Sequence, residues 1–307
     1  MLVKSQQRSS LETKLASGEF VITAEVAPPL AASTEVLLER VEPLIGLVDA
    51  INLTDAAGAR PALSSFAAAA ILAGEGIDPI LQITCRDRNR IALAGDLLGA
   101  AAQNISNLLI LHGDDPKVGD MPEAKPVHDL DPRGLMALAR DMRDKGALSS
   151  GRQIIAPPHF FIGCADTPFE PPPGWTPKGL ASKIAAGAQF AQTQFCFDAH
   201  LARRYFQKLS EHDITARLHF IVGTGPILSA KQARFMNEKL FGVSIPAAIV
   251  ERLERATDQR GEGRAICIEL MHALREIPGV SGVHLMAPMQ PSETIAEVIL
   301  AGGFRTR

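Results

Sequence analysis

A chain of 307 residues, 46% hydrophobic and 21% charged, can bury a large core and falls in the size range of one α/β barrel. Its 31 Lys and Arg against 34 Asp and Glu leave a formal charge of −3, with no excess of base to neutralise a nucleic-acid backbone, so nucleic acid is excluded as the expected partner. No stretch reaches the roughly 18 uncharged apolar residues that span a bilayer, the polar start lacks the apolar centre of a signal peptide, and the widely spaced Cys85, Cys164, Cys196 and Cys267 suit a reducing compartment, so a cytoplasmic protein with no membrane partner is expected.

Short runs rich in Val, Ile, Leu and Phe start near Phe20, Val48, Pro79, Asn107, Phe160, Phe190, Leu218 and Val280. Most are separated by an Ala-rich or amphipathic stretch of helical length, and eight strands alternating with helices describe a (β/α)8 TIM barrel. The whole chain, 1–307, is expected to form that one domain, with extra helices and long loops at the C-terminal face. The runs are nearly continuous in apolar residues, as parallel strands covered on both faces require. A doubly wound sheet is the alternative, but Ala27-Pro28-Pro29 follows the first run where such a sheet would place a Gly-x-Gly-x-x-Gly turn.

The punctuation between the runs agrees. Pro116, Gly119, Pro122 and Pro126 favour a loop over the barrel mouth after the fourth strand, and Asp131-Pro132 fits an N-cap followed by proline at the first helical position. The proline-rich segment from Pro168 to Pro177 reads as a rigid excursion, Ala186-Gly187-Ala188 as a helix end returning the chain to the sixth strand. The long interval between Gly223 and Val280 should hold extra helices, one of them from Pro246 to Thr257.

Three runs end in a polar residue that packing does not call for: Glu25, Asp114 and Gln194. In neighbouring parallel strands these would converge at the C-terminal end of the sheet, where barrels carry their chemistry. Strand alternation puts Thr23 with Glu25, Gln82 with Thr84, and Gln192 with Gln194. Satisfying loop amides is the plainer use of such groups. Glu25, leaving an apolar run, is the candidate proton donor. His112-Gly113-Asp114-Asp115 is either a close approach of backbone to ligand or a tight turn. The run from Arg86 to Arg90 could grip phosphate or form an ion-paired helix start, and Lys183 on its own reads as an exposed helix lysine. The histidines show no metal-ligand spacing, and a metal-free site is expected.

Ala24-Glu25-Val26-Ala27-Pro28-Pro29, Leu53-Thr54, Ile83-Thr84-Cys85, His112-Gly113-Asp114, Lys183-Ile-Ala-Ala-Gly-Ala188 and Thr193-Gln194-Phe195-Cys196-Phe197-Asp198, taken in order, resemble the methylenetetrahydrofolate reductase family. The resemblance implies a flavin-bearing barrel that reduces 5,10-methylenetetrahydrofolate to 5-methyltetrahydrofolate, FAD (or FMN) as cofactor, NADH or NADPH as electron donor, and assembly into homo-oligomers. It assigns Glu25 as general acid, Asp114 as the carboxylate near pterin and flavin, and Gln194 as the amide that orients folate. Thr54, Asp55, Gln82, His112, Gly113, Asp114 and Lys183 fall at flavin-side positions. Gln82 stands where many members have histidine, His112 where arginine is common, and Ala230 where some place a phenylalanine that stacks on substrate or nicotinamide. The Arg86 to Arg90 run is similar to a branch in which some reductases draw electrons from partner proteins. A folate-binding or electron-relay subunit of a larger complex, or a flavin-free folate-dependent barrel enzyme, are the alternatives this leaves.

Overall fold

The computed structural model describes residues 8–306. Strands β1 (Val21–Val26), β2 (Ala50–Leu53), β3 (Pro79–Thr84), β4 (Asn107–Leu111), β5 (Phe161–Asp166), β6 (Phe190–Phe195), β7 (His219–Thr224) and β8 (Val280–Leu285) pair in parallel in chain order, and β8 closes on β1. Each of the eight apolar runs is therefore a barrel strand. Alternate side chains divide between two cores. Ile22, Ala24, Ile51, Leu81, Ile83, Leu108, Ile110, Ile162, Val222 and Val283 join the large cluster beneath the helices. Val21, Ala50, Ile80, Leu109, Phe161, Phe190 and Ile221 fill the lower barrel interior.

The floor of the barrel is closed by α1 (Ser10–Ala16), which the strand pattern gave no reason to expect. Its N-cap Ser9 accepts from the Glu12 amide, and Leu11 and Leu15, one helical turn apart, enter the interior cluster. Asp78, just before β3, accepts from the Leu11 amide at 3.0 Å and from Asn107 Nδ2 at 2.8 Å, which ties α1 to the start of the sheet.

Burial raises the Asp78 carboxyl to about 6, against the pull of the Leu11 and Asn107 hydrogen bonds. A carboxyl raised in the folded state contributes stability that is complete below its unfolded value and is lost as pH rises through the folded one. Folding stability carried by this group should thus decline between about pH 4 and pH 6. Asp78→Asn should flatten that part of the stability curve, as read by urea titration across the range. An unchanged slope would remove Asp78 from the account.

Outside the barrel lie α2 (Thr34–Val41), α3 (Ser65–Gly74), α4 (Arg90–Ala102), α5 (Pro132–Asp144), α6 (Lys178–Ala186), α7 (Ala199–Ser210), α8 (Ala230–Lys239), α9 (Ala247–Arg255), α10 (Gln259–Arg275) and α11 (Glu293–Ala301). The local signals hold: Asp131 Oδ1 accepts from the Gly134 amide at 2.7 Å to open α5, and Gly187 ends α6 at φ 117°. Helices α8, α9 and α10 occupy the long interval before β8. The 168–177 excursion is pinned by rings, Phe169 lying 5.2 Å edge-on to Trp175 and 5.4 Å from Tyr205. No helix among the described residues is long and apolar enough to cross a membrane.

Candidate active site

The upper half of the barrel interior is polar. Thr23, Asn52, Gln192 and His284, on β1, β2, β6 and β8, are all buried there, and Glu25 stands one pleat above Thr23 at the mouth. Buried polar groups must find partners among themselves. Asn52 and Gln192 exchange amide hydrogen bonds across the barrel, Gln192 Nε2 donating to Asn52 Oδ1 at 3.0 Å. Gln192 Nε2 also donates to Thr23 Oγ1 at 3.2 Å, and Thr23 Oγ1 lies 2.9 Å from His284 Nδ1.

Glu25 accepts from Gln82 Nε2 at 3.4 Å, and its Oε2 faces His284 Nε2 at 4.0 Å. Its side chain is 32% exposed, so the carboxyl meets polar neighbours and solvent. Glu25 lines an open cleft of about 590 Å3 between the ends of β1 and β8, together with Ala27, Arg40, Pro288 and Gln290. Arg40 is held there by donating to the Ala27 carbonyl at 2.9 Å. A larger hollow, about 830 Å3, opens at the other end of the barrel beside Phe20, Arg275 and Phe304. Chemistry in α/β barrels sits at the strand C-termini, which favours the smaller cleft.

The other sequence-selected residues also lie toward that end, Thr54 buried directly after β2. Asp114 is exposed, and its Oδ2 accepts from the Gly58 amide at 2.7 Å. It thereby fastens a left-handed stretch in which Ala56, Gly58 and Ala59 have φ of 49°, 65° and 55°. Gln194 donates to the Phe241 carbonyl at 3.3 Å and accepts from the Phe195 amide at 2.9 Å. A register shift between Gln192 and Phe195 interrupts the alternation that would have kept Gln192 and Gln194 on one face. Glu25, Asp114 and Gln194 thus share the C-terminal rim without bonding to one another.

Gly113, at φ 92°, owes its lack of side chain to the protein itself, since a Cβ there would come within 2.8 Å of Arg86 Cβ and 3.1 Å of Thr84 Cβ. The guanidinium run is an ion-paired helix start. Arg86, only 3% exposed, pairs with Asp87 and reaches the carbonyls of Ala56 and Asp114, Arg88 pairs with Asp55 and Asp96, and Arg90 with Asp129, while Asn89 caps α4. Asp55 also accepts from the Thr84 amide at 2.8 Å and its hydroxyl at 2.9 Å. Lys183 reaches from α6 to donate to the Ala165 carbonyl at the end of β5, 2.6 Å away. His112 is exposed and stacks on His128 at 4.3 Å. Ala230 is buried at the start of α8, leaving no ring at that point.

A flavin is compatible with this donor set in part. Asp55 is committed within the protein, whereas Gln82 Oε1, His112 Nε2 and the remaining Lys183 hydrogens keep capacity for the polar edge and phosphate of such a group. The cysteines offer no thiolate: burial pushes Cys164 and Cys267 up to about 12, and Cys85 and Cys196 to about 11.

Comparison with known proteins gives a family model, Methylenetetrahydrofolate reductase, that matches residues 10–303. A Caenorhabditis elegans protein described as a probable methylenetetrahydrofolate reductase (NADPH) is 28% identical over 283 residues, covering 87% of this chain. The chain spans 39% of the length of that relative. Among solved structures, a Clostridium thermocellum protein described as binding two copies of 5-methyl-5,6,7,8-tetrahydrofolic acid aligns with a TM-score of 0.65 at 16% identity, covering 96% of this chain and 99% of that one. DmoA from Hyphomicrobium sulfonivorans aligns at 0.55 with 12% identity, covering 94% and 89% respectively.

Proposed function

This chain belongs to the methylenetetrahydrofolate reductase family, and we propose that its barrel reduces 5,10-methylenetetrahydrofolate to 5-methyltetrahydrofolate with Glu25 as the proton donor. The observation that carries the reading is a carboxyl group lining the cleft at the end of β1, with Gln82 and His284 beside it. Opening the five-membered ring of the substrate requires a proton on the departing nitrogen, which leaves an iminium carbon ready for hydride. Glu25 supplies that proton, and the cleft holds the reacting carbon near it. No side chain donates hydride; a flavin, when bound, would supply it, with NADH or NADPH as the electron source. Thr54, Gln82, His112, Gly113 and Lys183 would hold the flavin, Gln194 would orient the folate, and Asp114 would place negative charge near the cationic iminium.

The family match and the name of the nematode relative support a nicotinamide donor. The internal pairing of Arg86, Arg88 and Arg90 weakens the version of the hypothesis in which that run docks an electron-carrying partner. Purified protein is expected to show flavin absorbance that bleaches with NADH or NADPH and returns on adding methylenetetrahydrofolate. Intact, flavin-loaded protein that stays bleached would refute the reading. Tight folate binding by protein that never carries flavin would replace it with a flavin-free folate enzyme.

A further inference from the structure

We propose that His284 is a positioning residue that directs an Nε2–H at Oε2 of Glu25, with its tautomer fixed by the Asn52–Gln192–Thr23 chain, so that the transferable proton sits on Oε1. The inference rests on Glu25 being the proton donor.

The proton count starts at the amide pair. The two hydrogens on Gln192 Nε2 go to Asn52 Oδ1 and to Thr23 Oγ1, at 3.0 and 3.2 Å. Thr23 therefore accepts from Gln192, and in the proposed arrangement its own hydrogen goes to His284 Nδ1, 2.9 Å away. A hydrogen on Nδ1 would instead face the Thr23 hydroxyl and the Gln192 amide nitrogen, which lies 3.5 Å from Nδ1. In the proposed arrangement the ring carries its hydrogen on Nε2, which faces Glu25 Oε2 at 4.0 Å.

Gln82 Nε2, at 3.4 Å, is directed at the same oxygen. With two donors converging on Oε2, a protonated Glu25 carries its hydrogen on Oε1. As that proton leaves, the charge that develops on the carboxylate faces the Gln82 and His284 nitrogens, at 3.4 and 4.0 Å, which lowers the barrier. The lower barrel is filled by Ile80, Leu109, Phe161, Phe190 and Ile221, so packing alone did not demand four polar residues in the layer above.

The test uses three changes at 284 in the flavin-loaded enzyme. His284→Leu and His284→Asn, which place no N–H where Nε2 stood, should slow the folate half-reaction about 10- to 100-fold, with substrate Kd and nicotinamide-driven reduction little changed. His284→Gln, whose amide nitrogen reaches the Nε2 position, should recover most of the loss. Equal rates in Leu and Gln variants, or a Leu variant within twofold of wild type, would overturn the proposal. Should the Leu variant misfold, Thr23→Val against Thr23→Ser asks the same question of the hydroxyl, with only Val expected to slow the step. Independently, 15N-histidine NMR of the wild type should contain a neutral Nε2–H ring signal that is absent from His284→Gln; an Nδ1–H tautomer or an imidazolium there would also overturn it. Failure of the Glu25 assignment is separate, since it would show as a Glu25→Gln enzyme that still turns over folate.

Discussion

Glu25→Gln should abolish folate reduction while sparing reduction of the enzyme by NADH or NADPH. The amide keeps the shape of the side chain and can still accept from Gln82, so cleft and barrel are expected to stay as they are. What it lacks is a proton acidic enough to give to a leaving nitrogen. General-acid loss is typically worth about 10²- to 10⁴-fold. Glu39 and Glu293 also line the cleft, but they belong to α2 and α11 and not to the barrel strands. Stopped-flow absorbance separates the two half-reactions: the reductive trace should overlay the wild type and the oxidative trace should be almost flat. Equal slowing of both would take Glu25 out of the acid role and leave it as a residue that merely shapes the cleft.

The second large effect concerns stability. Phe190 is fully buried inside the barrel, its ring 4.8 Å from that of Phe161 and pressed on Gly163, where an added Cβ would come within 2.3 Å of the ring. Phe190→Ala should cost about 3–5 kcal/mol, since the closed strands around it cannot collapse into the space. Against a total of roughly 5–15 kcal/mol, that takes much of the margin. The urea midpoint should fall accordingly, and a loss below 1 kcal/mol would mean that the interior repacks freely. Gly163→Ala tests the same contact from the other side by overfilling it, at about 1–3 kcal/mol.

The strands were legible because a parallel barrel buries both faces, which writes each strand as an unbroken apolar run bounded by turns. Asp131-Pro132 and Gly187 were legible because capping is local chemistry. The α1 floor was not, since a seven-residue helix with only Leu11 and Leu15 buried in the interior is too short to show a period. The polar layer was half visible. Thr23 and Gln192 stood out as polar residues within strands, but their partners His284 and Asn52 lie 261 and 140 positions away, and no local rule joins them. Gln194 was read by strict alternation, which a bulge interrupts. The arginine run left two readings open, and only the positions of Asp55, Asp87, Asp96 and Asp129 decided for internal pairing.

Helix α1 makes the barrel a stoppered vessel. On the proposed function, water, reductant and folate would come and go past the same lip, and nothing would be fed to residue 25 from behind. A bulky folate seated there would also cork the route by which its spent proton is replaced, and recharging of the acid would wait on product departure.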